Sequence, residues 1–285
     1  VLIWEDSSSD GTRDALRAWA AHDRRVRLLF ADPPPLAWRR KLQRPARIAF
    51  CRDVLLTEAL RAMPAPLSPA RAAAHPHDTS ASTSLTPPPT YPQQLLIAID
   101  LDCPPLLQPH VLAASAQRLA TAATPHPRAR TQPRWHVLSA NSLPSYYDRW
   151  ALRSRPLAID YDCLLDTQQI ARRGMCLSYD VRIAPGAPIV PVDSAFNGVA
   201  IYSVAALRRS GCNYGFDPQM RSCEHVPFHT CLRRRGLRLG IDPSLLVGCG
   251  AEHGHSELPK TIHVAVRGNG SISWRGVVGG AAGEL

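Results

Sequence analysis

The chain has 285 residues, which is enough for one large α/β domain or two small ones. Hydrophobic residues make up 45%, so a sizeable core can be buried, and the net charge of +10 suits anionic ligands such as nucleoside diphosphates or polyanions. A nucleic-acid groove is disfavoured because only 6% of residues are aromatic and no basic run is interleaved with them. No signal peptide is recognised and no apolar run reaches the roughly 18 residues of a bilayer span, so we expect no membrane segment.

Strand and helix patterns alternate along the chain. Short apolar runs predict strands, and apolar residues at helical spacing predict helices. The predicted strands cover 1–4, 26–30, 95–99, 135–140, 190–193, 198–202 and 237–241, and the predicted helices cover 12–22, 46–63, 205–210 and 225–235. This alternation favours a doubly wound, mainly parallel sheet of the α/β class.

Two segments differ in composition from the rest. Residues 64–93 are rich in Pro, Ala, Ser and Thr, which predicts a disordered insertion rather than a domain boundary. Residues 266–285 form a Gly-rich tail that we expect to be frayed, so a single domain is predicted over 1–265. The eight cysteines include no C-x-x-C pair, which disfavours structural zinc and leaves both disulfides and buried free thiols open.

The strand at 95–99 runs directly into an Asp-x-Asp motif, Asp100 and Asp102. Side chains two apart on an extended strand point the same way, and ligands bind at strand exits in α/β sheets. One divalent cation could therefore lie between these carboxylates and a diphosphate. The structural alternative is that the two carboxylates cap the next turn.

Several segments in a fixed order carry a family resemblance. Glu5 and Asp6 end the first strand before the turn SSDGT, the helix segment 47–53 reads RIAFCRD, and 223–225 reads CEH at a helix start. With the Asp-x-Asp motif and VDSAFNG at 192–198, they resemble the nucleotide-sugar-dependent glycosyltransferases of the GT-A fold. The similarity extends to their family-2-like members and to the eukaryotic branch of fungal capsule-associated α-1,3-mannosyltransferases, and it covers roughly residues 1–250.

The resemblance implies a GT-A type doubly wound sheet that is N-terminally incomplete, since such domains begin with one more strand and helix. It also implies a bound Mn²⁺ or Mg²⁺. Asp102 would be the first metal ligand, and Asp100 would contact the ribose or the metal through water. A C-terminal histidine, His255 or His253, would be a third ligand; the alternative is that these histidines lie in an exposed loop. The cation would stabilise the departing diphosphate as a Lewis acid.

The donor nucleotide would contact the first strand and the following long helix. The resemblance implies that Glu5 or Asp6 accepts hydrogen bonds from the base or ribose, and that Arg47 or Arg52 contacts a phosphate. The alternatives are a turn or helix-capping role for the acidic residues and a solvated surface role for the arginines. For Asp10 the turn role is preferred.

The acceptor side would centre on Glu224. In inverting relatives an acidic residue at this helix start is the general base that deprotonates the acceptor hydroxyl, whereas in a retaining enzyme Glu224 would orient the acceptor. The alternative is a carboxylate that interacts with the helix dipole. The usual Glu-Asp pair is Glu224-His225 here, so His225 either takes the second position's role or packs.

Other acceptor-side candidates are Asp193 and Asn197, in a loop of that half of the domain. Three aromatic residues, Tyr146, Tyr147 and Trp150, could stack on sugar faces, and a place in the aromatic core is the alternative for Trp150.

The leading hypothesis is thus a metal-dependent glycosyltransferase that moves a hexose, for example mannose, from a nucleoside-diphosphate sugar to a glycan or glycoprotein hydroxyl. A non-catalytic GT-A-like remnant that binds a polyanion or a partner is the alternative. A nucleotidyltransferase is disfavoured because no Gly-rich phosphate loop with a Lys is present, and a hydrolase because no G-x-S-x-G is present. A full-length protein with an N-terminal anchor would reside in the secretory pathway, in the Golgi or ER lumen.

Overall fold

The computed structural model describes residues 1–6, 8–30, 43–64, 94–101, 108–121, 135–157, 159–160, 162, 180–215, 217–248, 260–266, 272–278 and 281–283. The predicted insertion at 64–93 lies almost wholly outside these residues. No helix among them is long and apolar enough to cross a membrane, in agreement with the sequence.

The N-terminal segment is a strand–helix–strand unit. Strands β1 (Leu2–Glu5) and β2 (Arg27–Phe30) pair in parallel, with Leu2 opposite Arg27, and helix α1 (Thr12–His22) connects them. Leu16 of α1 packs with Ile3 and Val26 in a small core that is separate from the larger cores of the chain. All three predicted elements are confirmed within one residue at each end.

Helix α2 (Arg44–Ala62) joins this unit to the rest of the domain. Proline in its first turn is compatible with helix initiation because that position needs no N–H partner. Ala46 and Ala49 are fully buried in the main core, and their small side chains allow close approach. On the same stretch, Phe50 packs edge-on against Trp4 of β1, with ring centroids 5.9 Å apart.

The central sheet has five strands, and the order β3-β7-β4-β8-β6. They are β3 (Leu95–Ile99), β4 (Val137–Ser142), β6 (Val190–Val192), β7 (Val199–Ser203) and β8 (Leu239–Val247). β4 and β8 are parallel, whereas β7 is antiparallel to both β3 and β4, and β6 is antiparallel to β8. The α/β class is confirmed, and the sheet is mixed: three strands run one way and two the other.

Helices cover both faces of this sheet. Helix α3 (Pro109–Thr121) packs on one face, and α4 (Val204–Ser210) and α5 (His225–Arg234) pack on the other. Alternation along β7 divides its side chains between the two cores, so Ile201 faces α3 and Tyr202 faces α5. A strand buried on both faces reads as a continuous apolar run, which is why β7 was predictable from sequence.

A second sheet contains β5 (Asp180–Ile183), β9 (Lys260–Val266), β10 (Ile272–Val278) and β11 (Ala281–Gly283), in the order β11-β10-β9-β5. β9, β10 and β11 pair antiparallel, and β5 joins β9 in parallel. The prediction of a frayed tail is therefore wrong over β10 and β11. The β-branched and aromatic residues between the glycines have strand propensity, and composition alone concealed it.

One disulfide joins Cys212, just after α4, to Cys231 in α5, with Cα atoms 5.9 Å apart. Cys51 and Cys223 are free thiols. Sequence spacing left both outcomes open, and the structure contains both among its described cysteines.

Candidate functional site

Arg52 lies at the centre of the candidate site. Its Nη2 donates to both oxygens of Asp100, at 2.8 and 3.0 Å, and its Nε donates to Oε1 of Glu224 at 2.9 Å. The Arg52 and Glu224 side chains are 15% and 7% exposed, whereas Asp100 is 39% exposed. Asp100 and Glu224 lie 48 and 172 positions after Arg52 in the sequence. The three residues, here called the Arg52 network, form ion pairs that extend from the buried Glu224 to the exposed Asp100.

Two element ends position the carboxylates. Asp100 follows β3, and its N–H donates to the carbonyl of Gly198 at 2.8 Å, so the strand's hydrogen bonding continues into the motif. Glu224 is the N-cap residue of α5, yet its side chain makes no capping hydrogen bond. Its oxygens instead accept from Arg52 and, at 3.6 Å, from the Cys223 thiol. The simple dipole role of Glu224 therefore does not account for its contacts.

The charge of Arg52 is fixed by its surroundings. Burial opposes the charged form, but Asp100 and then Glu224 outweigh it and raise the guanidinium's pKa above its ordinary value. The guanidinium carbon also lies 4.5 Å from the centre of the Phe196 ring. Arg52 is therefore a permanent, well-held cation at the exit of β3.

His225 packs behind this network. Its ring stacks on Phe196 with centroids 4.0 Å apart, and Nδ1 lies 3.4 Å from the Tyr214 hydroxyl. Nε2 lies 3.4 Å from Oε1 of Glu224. Burial first, and then the charge of Arg52, lower the pKa of His225 well below its usual value, so the ring is neutral. These contacts describe the packing alternative from the sequence; an acceptor role for His225 stays a prediction.

Asp148 is a third carboxyl group of the site that sequence reasoning missed. Oδ1 accepts from the N–H of Ala151 at 3.2 Å, and Oδ2 accepts from the N–H of Asn197 at 3.3 Å. Burial, with the nearby charge of Glu224, raises the pKa of Asp148 to about 6, although the two backbone hydrogen bonds oppose the shift. Its only sequence signal was its place beside Tyr146, Tyr147 and Trp150.

Asn197 connects the Asp148 loop to β7. It adopts a left-handed conformation with φ of 58°, which Asn tolerates better than most residues. Its Oδ1 accepts from the N–H groups of Tyr147 and Asp148 at 3.1 and 3.0 Å. Asn197 is fully buried and acts as a brace in this structure, so direct acceptor contact stays a prediction.

Asp193 contacts a different set of residues. It accepts from the N–H of Arg155 at 2.6 Å and from its Nε at 3.2 Å, and it forms an ion pair with Arg233. Its described side-chain partners are these arginines rather than the Arg52 network. The predicted acceptor role of Asp193 is untested.

The acidic pair after β1 divides into two environments. The buried Glu5 carboxylate accepts from the N–H of Ser8 and from Nε of Arg13, which stabilises the turn into α1, whereas Asp6 is exposed. Asp10 accepts from the N–H and hydroxyl of Thr12 at 3.1 and 2.6 Å, which confirms its turn role. The nucleotide contacts of Glu5 and Asp6 stay predictions.

Arg47 lies one helical turn before Cys51 on α2. Its Nε and the indole Nε1 of Trp4 are buried at the junction between β1 and α2, and neither has a hydrogen-bond partner among the described residues. Burial, then the charge of Asp6, raises the pKa of the Cys51 thiol to about 12, and Arg47 and Arg52 oppose the shift. Asp6, Arg47 and Arg52 are therefore near enough to share one electrostatic environment.

The metal prediction can be examined only in part. Asp102 and His255 lie outside the described residues, and the described residues contain no group of three His, Cys, Asp or Glu side chains that could hold a metal ion. Asp100 alone does not make a site, since Arg52 engages both of its oxygens. Both predicted roles of Asp100, as a metal ligand and as a contact through water, stay predictions.

Comparisons with known proteins add no assignment: no family model matches the chain, and no curated protein matches it. The function is therefore inferred from the residues and their geometry.

Proposed function

We propose that this chain is a GT-A type catalytic domain of a metal-dependent glycosyltransferase, which transfers a hexose from a nucleoside-diphosphate sugar to a hydroxyl of a glycan or glycoprotein. The observation that supports it most is the Arg52 network. It connects a carboxylate at the exit of β3 to a carboxylate at the start of α5, and the family resemblance assigns these positions to the donor and acceptor sides.

The arrangement of strand ends gives further support. The acidic pair lies at the end of β1, and the Asp-x-Asp motif follows β3. Both strand ends approach the first half of α2, through Phe50 and Arg52. Ligands in open α/β sheets bind at the carboxyl ends of strands. A nucleotide placed there would meet Asp6 and Arg47 at one end and Arg52 at the other.

The proposed roles follow from charge. Arg52 would hold the diphosphate that departs with negative charge, as a guanidinium fork suits phosphate oxygens. Asp102 would hold Mn²⁺ or Mg²⁺, which supplies Lewis-acid stabilisation of the same leaving group. Glu224 would accept the acceptor's proton in an inverting reaction, or orient the acceptor hydroxyl in a retaining one.

The disulfide supports a location in the secretory pathway. Disulfides persist in oxidising compartments and are rare where thiols are kept reduced. The Cys212–Cys231 bond is therefore in keeping with a protein of the secretory pathway.

A thermal-shift panel tests the donor site. UDP, GDP and their hexose conjugates are compared with and without Mn²⁺ on the parent chain, on Asp102→Ala and on Asp14→Ala. Asp14 is a matched control because its side chain is 84% exposed on α1 and pairs with Arg17.

We expect one nucleotide to stabilise the parent and Asp14→Ala in a Mn²⁺-dependent way, and to lose that effect in Asp102→Ala. If a cooperatively melting parent shows no shift with any nucleotide, the donor site is refuted. The non-catalytic alternative would then be preferred, and stabilisation by a polyanion such as heparin would support it.

A further inference from the structure

We infer that residues 143–150, here called the aromatic loop, bind a neutral pyranose ring of the acceptor. In this assignment Tyr147 and Trp150 pack against the sugar's apolar face, and Asp148 accepts a hydrogen bond from a ring hydroxyl. The inference rests on the proposed function, because it assigns the acceptor subsite of the same active site and commits the acceptor to a carbohydrate.

The aromatic loop presents two fixed rings. Tyr147 and Trp150 are both partly exposed, and their rings meet edge to face with centroids 6.4 Å apart. Leu143 at the start of the loop is 46% exposed and adds apolar surface. Trp150 also packs against the main core, which anchors the pair. Pyranose rings have one apolar C–H face, which aromatic surfaces of this kind can cover.

Hydrogen bonds make the aromatic loop rigid before any ligand arrives. The N–H of Tyr147 donates to Oγ of Ser142 at 2.9 Å and to Oδ1 of Asn197 at 3.1 Å. The N–H of Asp148 donates to Oδ1 of Asn197, and the N–H of Asn197 donates to Oδ2 of Asp148. A preordered platform loses little conformational entropy on binding, which favours recognition of a small sugar surface.

The same brace places the aromatic loop beside the Arg52 network. Gly198 follows Asn197 directly, and its carbonyl accepts the N–H of Asp100 at 2.8 Å. Asp148 is also close enough to Glu224 and Asp100 for their charges to raise its pKa. A sugar held on the loop would therefore lie near the proposed general base.

Charge determines the class of sugar. Asp148, Glu224 and Asp100 contribute three carboxyl groups, against two nearby arginines: Arg52, whose hydrogen bonds are directed to two of the carboxylates, and Arg149 of the aromatic loop itself. An anionic acceptor such as a uronate would meet this acidic group, whereas neutral hydroxyls donate hydrogen bonds to it. The occupant is thus a neutral pyranose rather than a uronate or a sulfated sugar.

Saturation-transfer NMR on the full chain tests the subsite without the donor. The probes are the methyl pyranosides of mannose, glucose, galactose and xylose, with methyl glucuronide as the anionic comparison. The variants are Tyr147→Ala, Tyr147→Phe and Trp19→Ala. Trp19 is a control for aromatic surface, because it is 44% exposed on α1 in the separate N-terminal unit.

We expect at least one neutral pyranoside to bind through its C–H face. Tyr147→Ala should weaken that binding by about tenfold, the order of one lost aromatic contact, whereas Tyr147→Phe and Trp19→Ala should retain it. Asp148→Asn should reduce the preference for neutral over anionic sugar.

Three results would overturn the inference: no transfer to any neutral pyranoside, equal binding by Tyr147→Ala and Trp19→Ala, or preferential binding of methyl glucuronide. Failure of the proposed function is a separate result, because it is read from the nucleotide panel. Pyranoside binding without nucleotide binding would support the subsite and refute the transferase.

Discussion

Helix α5 begins in a charged environment and continues into a neutral one. At its start, Glu224 is buried but meets Arg52 from a distant helix. One turn later, His229 is fully buried between the Ser194 and Tyr202 hydroxyls, at 3.0 and 3.1 Å, and burial lowers its pKa to about 3. The two buried side chains thus differ in their partners: the Glu224 carboxylate pairs with the Arg52 guanidinium, whereas burial and then the charge of Arg52 keep the His229 ring neutral between two hydroxyls.

This contrast separates residues that can do chemistry from residues that hold the core. The Arg52 network reaches the surface at Asp100, whereas His229 satisfies its two neighbours and is closed to solvent. Under the proposed function, substitutions in the first region should change binding and catalysis as well as stability, and those in the second should change stability alone.

The largest expected effect concerns Glu224. If it is the general base, Glu224→Gln should lower kcat of transfer by about 10²- to 10⁴-fold and leave nucleotide binding intact. Glu58→Gln is the control, because Glu58 also pairs with arginines, but these arginines, Arg27 and Arg61, are exposed. Steady-state transfer rates decide the matter, and equal rates for the two variants would exclude Glu224 as the base.

Removal of Arg52 should have the next largest effect. Arg52→Met leaves the buried Glu224 carboxylate without its counter-ion, a change that costs about 3–5 kcal/mol of unfolding free energy. Arg61→Met removes a pair with Glu58 whose arginine is 73% exposed, and it should cost no more than about 0.5 kcal/mol.

Urea unfolding measures both values. The double variant Arg52→Met, Glu224→Gln should recover part of the loss, since it leaves no buried charge unpaired. If Arg52→Met resembles Arg61→Met, the network is not a buried ion pair in solution.

Loss of the disulfide should affect both Glu224 and His229, because the bond holds α5, which begins after Glu224 and contains His229, to the end of α4. The bond closes a loop between two cysteines that are 19 positions apart. Reduction, or the double variant Cys212→Ala, Cys231→Ala, opens this loop and should lower the free energy of unfolding by about 3 kcal/mol. Thermal melts with and without reductant measure the effect. Cys51→Ser, which affects a free thiol, should respond to reductant as the parent does; no response in the parent would exclude the bond.

The smallest expected effect is a pH-dependent gain from Asp148→Asn. The folded carboxyl has a pKa of about 6 against 3.8 ordinarily, so between these values the folded state binds more protons than the unfolded state. Stability from this group therefore falls as pH rises through the window, and the full penalty is present above pH 6.

An amide nitrogen cannot accept, so Asp148→Asn loses one of the two backbone N–H partners at every pH. Relative to the parent, its free energy of unfolding should nevertheless be about 1 kcal/mol higher at pH 7 than at pH 3.5 to 4, after allowance for partial exposure. Asp10→Asn should have the opposite sign, since hydrogen bonds from Thr12 lower the Asp10 pKa. Urea unfolding at both pH values measures the difference. A gain of equal size at pH 4 would show that charge is not its cause.

The sequence predicted much of the local structure because local patterns encode it. The run at 95–99 and the helical spacing at 12–22 gave β3 and α1 with their bounds, and the Asp10 turn followed from side-chain chemistry. The prediction that β8 ends near 241 was too short: the strand continues to Val247, and Pro243 within it disguised the pattern.

The candidate site was predictable as a set of residues but not as a set of contacts. The Asp-x-Asp motif selected Asp100, and the resemblance carried by the order of motifs along the chain selected Arg52 and Glu224. Only the tertiary structure decided that one guanidinium joins both carboxylates, that Asn197 braces the aromatic loop, and that Asp148 belongs beside them. The reason is physical: periodicity and turn chemistry act between neighbours in the chain, whereas burial, counter-ions and shifted pKa values arise from residues that meet only when the sheet and its helices assemble.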